Sequence, residues 1–194
     1  MVLTTSGFAD NGTDISSDRI LRLPNCPIGT TMRIPVGNAE YIETAEGQLL
    51  KISDLPHFYS QKEAASYIQN IKIASAYPVR HPIRLANTLA SNYNYRVASV
   101  TYNYLNTVAL WVDYTTSGAS HTGVVTYHNA YTTFTGFTLG IAWHEISCHS
   151  EVTSSGKDIL ASAHGELAYY LLVDGFIELG REAVNLSGSF MAVR

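Results

Sequence analysis

The sequence predicts a mainly β protein: an antiparallel β-sandwich or jelly-roll-like body, opened by one or two helices and preceded by an extended N-terminal arm. From Tyr93 onward the chain is rich in Tyr, Thr, Val and Phe, which fit a pleated surface, and Gly or Asn recurs at intervals suited to turns. Apolar and polar residues alternate with period two in that half, and helical signals are confined to residues 60–91. Sandwich and jelly-roll architectures follow from several strands of this spacing with little helix among them.

Residues 1–57 read as the arm. Gly7, Gly12, Pro24, Pro27, Gly29, Pro35, Gly37 and Gly47 interrupt its apolar patches and exclude long helices. Short strands are expected at Thr31–Val36 and Gln48–Ile52, with Tyr41–Thr44 between them completing a small meander. Residues 58–194 form the single body domain. It opens with Ser60-Gln61-Lys62-Glu63, a capping box in which hydroxyl and carboxylate satisfy the free N–H groups of a helix start. Ala64, Ile68, Ile71 and Ser75 then share one helix face, and Tyr77-Pro78 ends the pattern. Pro82 is expected to open a shorter helix to about Ser91, with Ile83, Ala86, Leu89 and Ala90 inward.

Two half-buried strands follow from alternation. One has Val108, Leu110, Val112 and Tyr114 against Ala109, Trp111 and Asp113. The other has Phe137, Leu139, Ile141 and Trp143 against Thr138, Gly140, Ala142 and His144. Asp174-Gly175, between Leu167–Val173 and Phe176–Arg181, tolerates the positive φ angles of a type I′ turn and marks a hairpin. Leu186–Val193 completes the strand set, and no internal repeat suggests a propeller or solenoid.

Of 194 residues, 46% are hydrophobic and 14% charged, the latter well below the roughly 25% of average proteins. That supports one sizeable core. A net charge of −4 supplies no basic field for phosphates, so neither nucleic acid nor an anionic membrane is an expected partner. The first residues lack a basic n-region and an apolar h-region, and no apolar run approaches ~20 residues, so the expectation is a chain made in the cytoplasm without a signal peptide. Cys26 and Cys148, with no C-x-x-C pair, form no disulfide framework.

The chemistry-bearing residues are few. His144 and His149 are five apart, which is the wrong interval for the zinc-protease helix, and on a regular strand they point to opposite faces. His164 and Glu166 share a face two residues apart, so together with His144 they are the candidate metal or acid–base cluster. The H-x-E spacing lacks the P-C-x-x-C partner of zinc nucleobase deaminases. The favoured reading is a polar sheet surface, with no metal, no cofactor and no enzymatic activity expected. Asp10, Asn11, Asp14 and Asp18 lack the Gly and distal Glu of a calcium loop and read as a polar terminus. Nucleophile-elbow, P-loop and dinucleotide-binding patterns are missing as well.

The polar composition points elsewhere. Only Lys51, Lys62, Lys72 and Lys157 are lysines, while there are 13 tyrosines and many Thr, Ser and Asn. Such side chains lose less rotamer freedom than Lys on being covered, and interfaces favour Tyr. The candidate contact residues are Ile20, Leu21, Leu23, Ile28 and Ile34 in the arm, and Tyr93, Tyr95, Tyr102, Tyr104, Trp111, Tyr127 and Tyr131 in the sheet half. The sequence therefore predicts a virion structural protein, a phage capsid, decoration or tail component, located in the particle and packing against copies of itself and other structural proteins. The alternative is a receptor- or glycan-binding module using Tyr102, Tyr104, Trp111 and Asp113. A β-fold enzyme built on His144, His164 and Glu166 is the third reading.

Overall fold

In chain order the strands are β1 (Ile20–Arg22), β2 (Thr31–Pro35), β3 (Tyr41–Glu43), β4 (Leu49–Lys51) and β5 (His57–Phe58), followed by helix α1 (Gln61–Ala76). The body continues with β6 (Ile83–Leu85), β7 (Asn92–Tyr102), β8 (Asn106–Thr116), β9 (Val125–Gly136), β10 (Ile141–Val152), β11 (Asp158–Val173) and β12 (Phe176–Met191). The structure, a computed structural model, describes residues 15–76, 83–85, 92–102, 106–117, 123–136 and 140–193.

Two main sheets carry the body. The long sheet has the order β10-β11-β12-β2, with β5 parallel to the end of β11, and the second sheet has the order β6-β7-β8-β9. Every pairing in the second sheet is antiparallel. At the centre of the long sheet, β11 and β12 pair without a slip from Val173↔Phe176 to Asp158↔Met191. Asp174 at φ 47° and Gly175 at φ 76° join them in the expected turn. The expected separate strand at Leu186–Val193 is thus the far half of β12. Gly180 and Gly188 are places of close approach within β12. A Cβ on Gly180 would lie 2.1 Å from the Tyr169 ring, whose hydroxyl sits 2.9 Å from Thr31 Oγ1 on β2.

The main core lies between these sheets. Odd-numbered positions of β11 from Ile159 to Val173 enter it, as do Val108, Leu110 and Val112 of β8 and Ala64, Ile68 and Ile71 of α1. The helix start is capped as its sequence predicts, the Glu63 N–H donating to Ser60 Oγ at 3.3 Å. Ser75 lies in α1.

A second, smaller core lies on the opposite face of the long sheet. There Leu23, Cys26, Ile42, Ile52 and Leu55 close over Ala168, Tyr170, Ile177 and Leu179. Residues 15–58 therefore form a strap folded on the chain's own body. Their strands do not make the expected meander: β2 joins β12, while β3 pairs with β4 and, in parallel, with β1. Arg181 ties the strap down, donating to Glu166 at 2.5 Å and to Glu46 in the β3–β4 turn.

Two further expectations change. Ile83–Leu85 is strand β6 rather than helix, its backbone paired with Asn94–Arg96 of β7, so the groups a helix would satisfy internally are satisfied across strands. The rest of the expected helix, Pro82 and residues 86–91, lies outside the described residues. Strand β10 begins at Ile141 after a turn at Gly140, and Phe137 and Leu139 likewise lie outside the described residues. The same holds for Asp10, Asn11 and Asp14, whereas Asp18 sits in a short 3-10 turn, Ser17–Arg19.

Candidate functional site

Among the described residues, each main sheet has an outer face that is partly exposed. On the long sheet the strap covers Ala168 and Tyr170 and reaches Glu166 through Arg181, but stops short of Leu160, Ser162 and His164 on the same face of β11. Register adds the flanking strands: His144, Glu166 and Ala183 form one row across the sheet, and Ser147, His164 and Asn185 the next. His149, Ser162 and Ser187 follow, then Glu151, Leu160 and Ser189. The last two rows line a shallow groove of about 360 Å³. Apolar points stand among these polar groups, Leu160 at 39% and Met191 at 58% exposure.

The candidate cluster falls on this face. His144 is directly opposite Glu166, and His164 is one row on. Their partners define what they do. Glu166 accepts from Arg181, which holds it as a structural counter-ion, and His164 Nδ1 lies 2.6 Å from Asn185 Oδ1. His144 Nε2 is buried with no hydrogen-bond partner. Among the described residues, no group of three His, Cys, Asp or Glu side chains is placed to hold a metal.

A bulge between Glu145 and Ser147 corrects one expectation. The extra residue reverses the alternation, so His144 and His149 share a face instead of pointing apart. They stand opposite Glu166 and Ser162, so about 13 Å of strand separates them. Cys148 faces the main core, where burial first and the Glu145 charge second push its thiol up to about 11. Both Cys26 and Cys148 are free thiols.

On the second sheet, Arg96, Trp111 and Tyr131 form a row across β7, β8 and β9, with Asn94, Asp113 and Asn129 forming the next. The side chains are mutually fixed. Asn94 Nδ2 donates to Asp113 Oδ1 at 2.5 Å and to the Tyr131 hydroxyl at 2.7 Å, and the Arg96 guanidinium lies 4.9 Å from the Trp111 ring centre. The indole leans toward a row of small residues, Ser99, Ala109 and Thr133, and donates from Nε1 to Thr133 Oγ1 at 3.0 Å.

The other expected contact residues divide by strand parity. Tyr102 is fully buried, and Tyr93 and Tyr95 face the core, stacked on Tyr114 and Phe190 at 5.1 and 4.0 Å between ring centres. Tyr102 is therefore part of the core, and Tyr93 and Tyr95 are half-buried against it. Tyr127 is exposed, and Tyr104 lies outside the described residues. In the strap Leu23 is buried, Ile20, Leu21 and Ile34 are half-buried, and Ile28 is exposed. Alternation alone pairs Trp111 with Asp113, and Asn129 with Tyr131. What it misses is Asn94 and Arg96, because a second bulge, between Arg96 and Ala98, resets which β7 residues face outward.

Among the described residues no helix is long and apolar enough to cross a membrane. No protein-family model matches the chain, and comparisons with curated proteins and with solved structures return no match.

Proposed function

We propose that the chain is a structural subunit of a virus particle, a phage capsid, decoration or tail component, that works by packing against copies of itself and other structural proteins. The observation that carries this reading is that β7 to β12 contain no lysine, so their open faces hydrogen-bond mainly through Ser, Thr, Asn, Tyr and His. Covering such groups costs less side-chain entropy than covering lysine. The virus assignment itself is supported by architecture, since sandwich bodies recur in particle proteins.

The open half of the long sheet suits the contact best, since Leu160 and Met191 supply apolar anchors beside the serine groove. Because the strap is folded on its own body, copies meet through this face rather than through an arm exchanged at Ile20–Ile34. Leu160→Glu combined with Ser187→Arg is the direct test, both side chains being on the open face. In sedimentation at micromolar concentration the natural chain is expected as an oligomer or within a particle, and the double variant as a folded monomer with unchanged circular dichroism. A natural chain that remains monomeric and joins no particle overturns the proposal.

A further inference from the structure

We propose that the outer face of the second sheet is a binding site for an acidic saccharide, a pyranose ring bearing a carboxylate, held by Arg96, Trp111 and Tyr131. The site is separate from the long-sheet face to which subunit packing is assigned.

Three features of the face converge on this ligand. Arg96 makes no ion pair with any described carboxylate. Its charge rests on the Trp111 ring, and its Nε is buried with no hydrogen-bond partner. A carboxylate is the anion that a guanidinium meets best, with two parallel donors. Next, Tyr131 is the direct cross-strand neighbour of Trp111, so its half-buried ring, beside the indole that carries Arg96, offers apolar surface to the C–H face of a sugar. Finally, the adjoining row is rich in acceptors. Both Asn94 amide hydrogens are committed to Asp113 and Tyr131, which leaves its carbonyl oxygen, together with the Asp113 carboxylate, to accept from sugar hydroxyls. The Tyr131 hydroxyl accepts from Asn94 and donates to Asp113, which fixes the carboxylate in place beside that carbonyl.

Charge selects among ligands. Asp113 beside Arg96 disfavours a polyphosphate chain, and a net charge of −4 supplies no wider field for one. One carboxylate against one guanidinium, with neutral hydroxyls for the acceptors, matches the row-by-row pattern. A neutral sugar would occupy the rings and leave Arg96 without its counter-charge.

The full chain, labelled and applied to an array carrying uronate, sialate and neutral glycans, tests the proposal, with titration calorimetry against glucuronate and glucose. Binding to the acidic sugars near about 1 mM, at least tenfold weaker for the neutral ones, is the expected result. Arg96→Gln is expected to reduce acidic-sugar affinity tenfold or more and Tyr131→Phe by about threefold, with urea midpoints establishing that both fold. Trp111→Ala is expected to abolish binding, and if that variant unfolds the other two decide. The Leu160→Glu, Ser187→Arg chain is expected to bind monosaccharide normally, so failure of the assembly reading does not carry this one with it. No binding at 10 mM, equal binding of glucose, or affinity unchanged in both Arg96→Gln and Tyr131→Phe overturns the assignment.

Discussion

Arg181 joins three distant parts of the chain: Glu46 of the strap, Glu166 of β11 and its own strand β12. Its guanidinium side chain is 8% exposed, so the two carboxylates are what make its burial tolerable. Arg181→Met is expected to cost on the order of 3 kcal/mol in urea unfolding, because it leaves both carboxylates without their partner. Glu46 shows the pH sign. Burial raises its pKa, but hydrogen bonds from Arg181, Thr44 and its own backbone outweigh that, and the folded value lies below the ordinary one. A lowered carboxylate contributes stability above its unfolded pKa of about 4.3 and loses it as pH falls through the folded value. The natural chain should therefore lose more stability than Glu46→Gln between pH 5 and about pH 3. None of this pairing is legible in sequence, since Glu46, Glu166 and Arg181 carry no spacing that links them.

Elements were legible where a local chemical signal agreed with the tertiary demand. The Ser60 cap and the Ala64, Ile68, Ile71 face both specify α1, and Ser60→Ala is expected to lower stability by about 1 kcal/mol in thermal or urea melts. Asp174-Gly175 specifies the hairpin equally directly. The Pro82–Ser91 reading failed because apolar residues three and four apart also suit a short strand once β7 offers its edge. Bulges account for most of the rest. One inserted residue in β10 and one in β7 each reverse the inward and outward sets downstream, so parity counted along the sequence misplaces His149 relative to His144 and hides Arg96 beside Trp111.

At the scale of the whole molecule, composition could not say on what the N-terminal segment lies, because Gly and Pro punctuation suits a strap and a free arm alike. The strand beneath it did carry a signal. Asp158–Glu166 alternates, whereas Leu167-Ala168-Tyr169-Tyr170-Leu171-Leu172-Val173 is continuously apolar, as expected of a strand covered on both faces. Deleting residues 1–56 would bare Ala168, Tyr170, Ile177 and Leu179 together. The truncated chain is expected to aggregate or to bind the dye ANS strongly, which solubility and fluorescence measure. Pairing of β2 with β12 also has a temporal side. The first of these strands leaves the ribosome near residue 35 and its mate only after residue 180. At about 5–20 residues per second the early segment waits on the order of ten seconds for its seat. In a cell, that interval is when Leu23, Ile42 and Ile52 are open to chaperones and proteases, so yield depends on translation speed as well as on equilibrium stability.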